Sequence, residues 1–539
     1  MIFLKAILRA LSLKERKYLI VLLAVLLISS LGRFALAVQE NSEFVPVSGG
    51  VYREGIIGQP IAVNPIISAN QTDQDISALI YSRLFDLINT YETAEDGKVY
   101  LLKLKEDLRW EDGEPLMSND VIFTIKTAQD PETRSPFAKS WQGVVTERIS
   151  ELQIQFTLPA PYTFFPNNLK RLPIIPKHIF GSIPAANLRL STYNLEPVGS
   201  GPYRFDGLSK RKDGFITQYH LVRNENYHNT KPFIGDFYFK FYENNADLLE
   251  ALKMREINGF GNLLPIDKNL ISSSKITIEK VTMPRYYAIF FNQNINPALK
   301  KFDLRYALTA AIDKNRLIEE LGNDAIKNAP SPVLQEFKNW ESGQNIPYNP
   351  DEAKTKIESL GEEKIELNLI VPKIEFLEKT AKFIKKAWLD AGVDQVNLFF
   401  LNPEELLNDV IKTSNYEMIL FGNILENPID LFPFWHSSER FYPGLNLALY
   451  QNMKLDTLLE NIRQTDEKEN QLSFLKEAET LILGDSPAIF LFSMPYSYIH
   501  SESLKGFRAS EGEERFLVTP TDRFNNVHEW YISSARIIK

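Results

Sequence analysis

The stretch RYYAIFFNQNINPALKKFDLRYALTAAIDKNRLIEELG, residues 285–322, carries more information about the fold than any other part of the chain. Its residues 286–291 form an uncharged aromatic and β-branched run, which is typical of a strand buried on both faces. A polar turn begins at Asn292, at the carboxyl end of that strand, where open α/β sheets hold ligands. Asp303 and Asp313 are placed to cap two following helices with apolar faces. The stretch therefore predicts an α/β layer with a ligand site at one edge.

The composition is that of a folded protein with more than one core. The chain has 539 residues, of which 44% are hydrophobic and 24% charged, and this length allows several domains. A net charge of −9 argues against a nucleic-acid partner, because phosphate contacts need a basic surface. The aromatic content of 12% suits either large cores or ligand pockets.

The chain has no cysteine, which excludes disulfides, thiolate metal sites, a cysteine nucleophile and a lipidated N-terminal cysteine. None of the six histidines has the i, i+4 spacing of a metal-binding helix, so we expect no metal and no cofactor. The signatures G-x-S-x-G, G-x-x-x-x-G-K-[ST] and H-E-x-x-H are absent. The sequence thus predicts a protein that is not an enzyme, although its many carboxylates leave an acid–base pair open.

The N-terminus predicts export. Residues 18–38 are largely apolar, and residues 1–17 contain five basic side chains, which the positive-inside rule keeps in the cytoplasm. The Ala35-Leu36-Ala37 triplet resembles a cleavage site and favours a signal peptide. The length of the apolar stretch favours an uncleaved transmembrane anchor instead, which a receptor without a lipid would need. The expected location is the outer face of the membrane with an anchor, or the periplasm or medium after cleavage.

Several sequence markers follow one another in a recognisable order. They are LRWEDGEPL at 108–116, PVGSGPY at 197–203, RNENY at 223–227, the opening stretch, and Leu455-Asp456 before a helix pair. From about residue 49 to the C-terminus, this order resembles the bacterial extracellular solute-binding proteins of family 5. These are the substrate-binding proteins of oligopeptide, dipeptide and nickel ABC transporters.

The resemblance implies an α/β, two-lobed, periplasmic-binding-protein-like fold of type II, in the large peptide-binding class. The expected divisions are a linker at 39–50, lobe I at 51–85, 199–285 and 489–539, an inserted subdomain at 86–198, and lobe II at 286–488. Strands and helices alternate through lobe II, which by itself favours a doubly wound sheet. The chain is expected to cross between the lobes near 282–286 and near 488–492, and to close on its ligand as a hinged monomer.

The resemblance also implies a set of ligand-binding residues on loops that converge on the cleft. They are Ala69, Asn70, Gln71, Trp141, Tyr287, Asn292, Gly422, Asn423, Glu426, Trp435 and Phe492. Glu426 is placed to meet a ligand ammonium, with Asp430 as a weaker candidate, but it is equally well explained as a solvated loop acid. Asn423 replaces the aromatic residue usual in the family. Trp141 and Trp435 suit pocket walls, but a buried core position is the more common fate of a tryptophan.

The sequence therefore predicts an extracytoplasmic receptor of an ABC importer. It would capture an oligopeptide or peptide-like ligand in the interlobe cleft and deliver it to a permease without chemistry. One alternative is a receptor for a non-peptide solute such as an oligosaccharide or cell-wall fragment. Another is a cell-surface interaction protein that kept the fold without transport, whereas a secreted hydrolase has little support.

Overall fold

The structure, a computed structural model, describes residues 12–40, 42–68, 70–94, 96–262, 275–322, 325–343, 345–361, 364–508 and 516–538. The strands in these residues are β1 (Ser42–Pro46), β2 (Val51–Ile57), β3 (Ile88–Thr93), β4 (Val99–Leu104), β5 (Val145–Arg148), β6 (Gln153–Thr157), β7 (Tyr203–Lys210), β8 (Ile216–Arg223), β9 (Asp236–Tyr242), β10 (Gly259–Asn262), β11 (Ile276–Val281), β12 (Arg285–Phe291), β13 (Lys327–Asn328), β14 (Glu366–Pro372), β15 (Gln395–Leu401), β16 (Met418–Ile424), β17 (Ala488–Ser493), β18 (Tyr496–Ser501) and β19 (Ser534–Ile538). The helices are α1 (Leu13–Glu40), α2 (Gln71–Ile80), α3 (Leu84–Leu87), α4 (Ser118–Gln129), α5 (Phe165–Arg171), α6 (Lys177–Phe180), α7 (Asn245–Lys253), α8 (Phe302–Ala310), α9 (Lys314–Glu320), α10 (Pro350–Ser359), α11 (Glu375–Asp390), α12 (Pro403–Glu405), α13 (Phe432–Trp435), α14 (Met453–Gln464) and α15 (Lys468–Asp485).

The described residues form three large sheets and the two-stranded ribbon of β1 and β19. Sheet A has seven strands in the order β11-β18-β10-β2-β9-β8-β7, and sheet B has four in the order β3-β4-β6-β5. Sheet C has six strands in the order β13-β17-β12-β16-β14-β15. One continuous hydrophobic core joins sheets A and B, whereas sheet C carries a separate core on each face. The molecule therefore consists of two α/β bodies, one built on sheets A and B and one on sheet C.

Strand β12 confirms the prediction of a strand buried on both faces. Tyr286, Ala288 and Phe290 pack into one core of sheet C, while Ile289 and Phe291 pack into the core on the other face. This alternation follows from the period of two along a strand. The next two helices lie where the sequence places them. Asp313 caps α9 as predicted, but Asp303 lies inside the first turn of α8 rather than at its cap.

Sheet C is mixed rather than doubly wound and parallel. Strand β14 pairs parallel with β15 and β16, but β12 runs antiparallel to both β16 and β17. The start of β12 therefore lies beside the carboxyl ends of β16 and β17. The opposite end of β12, where Asn292 follows, lies beside their beginnings.

The chain crosses between the two bodies twice. The first crossing joins β11 to β12 through residues 282–284, and the second joins β17 to β18 through residues 494–495. The second crossing lies a few residues later than 488–492 because β17 stays paired with β13 and β12 through Ser493. Arg285 links the two crossings, since its Nε donates to the Met494 carbonyl at 2.9 Å.

The N-terminal helix α1 ends at Glu40, and strand β1 begins at Ser42. Within α1, Lys14–Phe34 is long and apolar enough to cross a membrane by length and composition, as a signal sequence also would be. The stretch 39–50, predicted to be a linker, instead contains the end of α1 and strand β1. Strand β1 pairs antiparallel with β19 along its whole length, from Ser42 opposite Ile538 to Pro46 opposite Ser534.

Candidate ligand-binding site

A cavity of about 240 Å³ lies in the body of sheets A and B, at its boundary with the sheet C body, which contributes Glu426 to the lining. Its walls come from α2 and the residues on both sides of it, from the segment between α4 and β5, from α5 and the residues just after it, from the C-terminal segment near Thr521, and from the loop after β16. The lining residues are Pro65, Ser68, Gln74, Ser77, Ala78, Tyr81, Arg83, Pro136, Phe137, Ser140, Trp141, Asn168, Arg171, Pro173, Glu426, Thr519, Thr521 and Asp522.

The glycine-rich marker at 197–203 positions the end of α2 at this cavity. The Gly201 amide donates to the Ile80 carbonyl at 2.7 Å, and a Cβ on Gly199 would lie 2.0 Å from the same oxygen. Only glycine permits this approach of the two backbones. The contact holds Tyr81, the next residue, against the cavity.

The marker at 108–116 supports the same corner. The Glu111 amide donates to the Gly199 carbonyl at 2.9 Å, and the Glu111 carboxyl accepts from the Gly199 amide at 3.1 Å. Burial raises the pKa of Glu111 to about 8, an effect opposed by that hydrogen bond. The two markers that carry the family resemblance therefore contact each other and serve as scaffold behind the cavity.

A buried ionic cluster holds the C-terminal segment against α2. Arg523 donates to Glu54 at 3.0 Å through Nε and to Asp75 at 2.7 Å through Nη2. Burial raises the pKa of Glu54, and the charge of Arg523 opposes that rise. Thr521 donates to Asp75 at 2.7 Å, so the cluster fixes one wall of the cavity.

Two arginine–carboxylate pairs lie in the cavity lining. Arg83 contacts Asp522 at 3.2 Å within the body of sheets A and B. Arg171 Nη1 contacts Glu426 Oε1 at 3.3 Å, and this pair crosses from one body to the other. The Glu426 side chain is 59% exposed, so solvent weakens this ion pair.

Four buried polar atoms on lining residues have no hydrogen-bond partner within the described part of the chain. They are Ser77 Oγ, Tyr81 OH, Trp141 Nε1 and Arg171 Nη1. Burial raises the pKa of Tyr81, with a further contribution from the charge of Glu111, so the hydroxyl keeps its proton. Unpaired buried polar groups are uncommon in folded proteins and favour a site that is completed by a ligand.

The two bodies also touch outside the cavity. Lys139 pairs with Glu439 across the interface. The Thr163 amide donates to the Arg463 carbonyl at 2.9 Å, and the Arg463 guanidinium lies 5.1 Å from the centre of the Tyr162 ring. The cleft is therefore shut in this structure.

The structure brings only part of the predicted site together. Trp141 and Glu426 both line the cavity. Asn70 caps α2 by accepting from the Asp73 amide at 2.8 Å, and Gln71 donates to Asp75 and Thr521. Both belong to the helix that lines the cavity, but neither lines it. Ala69 lies outside the described residues.

The predicted residues of sheet C lie near the interlobe edge but pack inside the sheet C body. Tyr287 stacks on Phe492 with ring centres 5.3 Å apart, and a Cβ on Gly422 would lie 2.7 Å from the Tyr287 ring. Asn423 and Trp435 are buried on the opposite face and both donate to the Tyr286 hydroxyl.

Two further predicted residues are placed differently from the expectation. Asn292 is buried at the far end of β12, where it donates to the Ser414 carbonyl at 3.0 Å. It misses the cleft because β12 is antiparallel to its neighbours. Asp430 accepts a bidentate pair of hydrogen bonds from Arg463 and is already neutralised.

The prediction missed most of the polar lining, including Ser77, Tyr81, Arg83, Arg171 and Asp522. These residues come from three distant segments, and no local pattern in the sequence separates them from ordinary surface residues. Among the described residues, no group of three or more His, Asp or Glu side chains is arranged to hold a metal ion.

Two α/β bodies joined by two crossings, with a cavity at their boundary, define a two-lobed solute-binding protein of type II. Residues 85–440 match the model of the bacterial extracellular solute-binding proteins, family 5. The match spans more than half of the chain, and the chain belongs to this family. The family and the two-lobed fold expected from the resemblance are thereby confirmed.

Individual relatives are distant in sequence. The oligopeptide-binding protein AppA of Bacillus subtilis is 22% identical, over 96% of this chain and 100% of its own length. The crystal structure of the substrate-binding protein CtaP of Listeria monocytogenes has a TM-score of 0.77 at 25% identity, covering 90% of this chain and 99% of CtaP. MoaA of A. tumefaciens R10, solved with mannopinic acid, has a TM-score of 0.72 at 18% identity, covering 90% of this chain and 99% of MoaA.

Proposed function

We propose that the protein is the extracytoplasmic receptor of an ABC importer and that it captures a peptide or peptide-like solute in the cavity at the boundary between its lobes. The observation that carries this proposal is a set of four buried polar atoms on cavity-lining residues that have no hydrogen-bond partner among the described residues. One of them, Arg171 Nη1, lies 3.3 Å from Glu426 without forming a hydrogen bond. The relative AppA is named an oligopeptide-binding protein, which supports a peptide ligand.

The division of the chain into lobes follows the three sheets. The sequence-based bounds shift at one place, because β17 pairs within sheet C. We assign residues 51–85, 199–285 and 494–539 to lobe I, residues 86–198 to its inserted subdomain, and residues 286–493 to lobe II. Residues 282–284 and 494–495 serve as the hinge. Ligand binding favours the shut form because the ligand contacts both lobes only there, and contacts such as Thr163 with Arg463 add to the stability of that form.

Residues 18–38 hold the receptor on the outer face of the membrane. An uncleaved anchor accounts for a receptor that lacks a cysteine for lipid attachment. The shut form then docks on the permease as a monomer, and the ligand leaves without chemical change.

A second candidate is a non-peptide solute. The enclosed volume of about 240 Å³ lies below the range of roughly 300–1,000 Å³ typical of ligand pockets, which favours a compact ligand over an extended peptide. MoaA, a structural neighbour, binds mannopinic acid.

Ligand-induced stabilisation tests the proposal. The full chain is purified in detergent, and its Tm is measured with pools of di- to pentapeptides and, separately, with pools of sugars and sugar acids. A ligand at 100 times its Kd stabilises the protein by about 2.7 kcal/mol, which raises Tm measurably. A rise with peptides supports the peptide receptor, and a rise with sugar acids alone supports the second candidate. No rise with any pool contradicts a receptor function.

A further inference from the structure

The unpaired groups of the cavity are biased towards hydrogen-bond donors. Trp141 Nε1 and Arg171 Nη1 can only donate, and the hydroxyls of Ser77 and Tyr81 can donate as well as accept. Trp141, Tyr81 and Ser77 are no more than 3% exposed. A ligand that completes this site must therefore present acceptor atoms to it.

The carboxylates of the lining already have partners. Asp522 pairs with Arg83 and accepts from the Thr519 amide at 2.8 Å. Glu426 differs from Asp522, because its 3.3 Å contact with Arg171 is an ion pair without hydrogen-bond geometry. Arg171 Nη1 is thus near a negative charge but still without an acceptor.

We propose that the cavity selects ligands that carry a carboxylate, which binds Arg171 with Trp141 and displaces Glu426 from it. This rests on the proposed function, since it requires that a solute enters this cavity. Glu426 occupies the place of the ligand's anion when the site is empty. Its side chain is 59% exposed, so it can leave towards solvent at little cost.

The physical basis is the pairing of a guanidinium with a carboxylate. Arginine can hold a carboxylate by two parallel hydrogen bonds, which are about twice as strong as neutral ones. A ligand with an amide in place of the carboxylate keeps one acceptor oxygen but loses the charge and the second hydrogen bond to arginine, so we expect its affinity to fall roughly tenfold or more. The sequence analysis instead expects Glu426 to bind an ammonium group of the ligand. That expectation requires a positively charged ligand group where this proposal places a carboxylate.

Matched peptide pools test the charge that is recognised. Tripeptide pools are compared by calorimetric titration of the full chain as free acids, as C-terminal amides and as N-acetylated free acids. We expect amidation to raise Kd at least tenfold and N-acetylation to change it less than threefold. Sugar acids and their neutral sugars form a second matched pair for the non-peptide case.

Two variants test the residues. Arg171→Met should abolish the preference for the free acid, whereas Lys170→Met, which removes a neighbouring charge outside the lining, should leave it unchanged. Glu426→Gln removes the competing anion and should lower Kd for free acids several-fold. Because Glu426 is exposed, this variant stays informative even if Arg171→Met does not fold.

The outcomes are distinct. Equal Kd for free acids and amides, or weaker binding of free acids by Glu426→Gln, overturns the inference while leaving the receptor function intact. If neither peptides nor sugar acids bind at all, the receptor function fails and the inference fails with it.

Discussion

Some residues near the cleft make hydrogen bonds within the protein core rather than lining the ligand cavity. Asn423 and Trp435 lie at the end of sheet C that faces the cleft, but both donate to the buried hydroxyl of Tyr286, at 3.0 and 3.2 Å. A ligand that accepted from Trp435 Nε1 would have to break its bond to Tyr286, whereas Asn423 keeps a second N–H and its Oδ1. Both bonds to Tyr286 hold the strand end in place.

Replacing Tyr286 with phenylalanine tests this role. Tyr286→Phe leaves two buried donors without an acceptor, and each costs about 1–3 kcal/mol, so we expect a lower urea midpoint with unchanged ligand affinity. Tyr348→Phe is the control, since Tyr348 is 53% exposed and should lose little stability. Loss of affinity at full stability would instead place Asn423 and Trp435 in the ligand site.

His228 predicts a pH dependence of stability. Burial, with a contribution from Lys105, lowers its pKa to about 4, whereas the unfolded value is about 6.5. The unfolded chain thus binds the proton more readily, and the stability due to neutral His228 is present above pH 6.5 and is lost as pH falls towards 4.

The measurement compares urea unfolding of the wild type and His228→Gln between pH 4 and pH 8. Above pH 7 we expect a constant difference between the two proteins in their free energy of unfolding. Between pH 6.5 and pH 4 that difference should shift in favour of the variant by on the order of 2 kcal/mol. Parallel curves over the whole range would contradict a buried neutral histidine.

At the scale of elements, the ribbon of β1 and β19 connects the two ends of the described chain. Arg536 strengthens it, because its Nε donates to Ser42 Oγ at 2.6 Å and its guanidinium lies 5.7 Å from the centre of the Phe44 ring. The segment after the apolar helix is therefore paired with the last strand rather than free to move independently.

A disulfide introduced into this cysteine-free chain tests the register in which β1 pairs with β19. Glu43 and Ile537 lie directly opposite each other, and opposite Cβ atoms lie about 4.5–5.5 Å apart, so Glu43→Cys with Ile537→Cys should oxidise readily. Glu43→Cys with Ser534→Cys is the control, because Ser534 is opposite Pro46 and is too distant. Mass spectrometry and gel mobility without reductant distinguish them, and equal cross-linking would contradict the register.

At the scale of the whole molecule, a few contacts hold the cleft shut. Tyr162 and Phe164 pack into the core of the sheet C body although they belong to the segment that follows sheet B. Lys139 adds an ion pair with Glu439. These contacts are small compared with a domain core, so closure can be reversible.

Removing them should favour the open form. In Lys139→Ser with Tyr162→Ala we expect a larger radius of gyration by X-ray scattering and recovery of the compact form with ligand. If the closed population falls to a tenth, the apparent Kd rises about tenfold. Lys379→Ser, which breaks an exposed ion pair within α11, should change neither quantity. An unchanged radius in the double variant would show that other contacts hold the cleft.

Local patterns in the sequence were sufficient to predict the strands and helices and to recognise the family. The strand at 286–291, the helices of the sheet C body and the order of the markers depend on residues close together in the chain, where periodicity and turn chemistry act. The same patterns were insufficient for the direction of β12, since a strand buried on both faces reads alike in parallel and antiparallel sheets. The misplacement of Asn292 follows from that.

The sequence by itself determined the two-lobed fold, the apolar N-terminal helix and two cavity residues, Trp141 and Glu426. Only the tertiary structure decided which other side chains complete the cavity. Tyr81, Arg171 and Asp522 are far apart in the chain, and they meet because Gly199 admits the end of α2 and Arg523 holds the C-terminal segment; Glu426 joins them from the other lobe. A binding site made from distant segments depends on packing between them, and no local pattern records that packing.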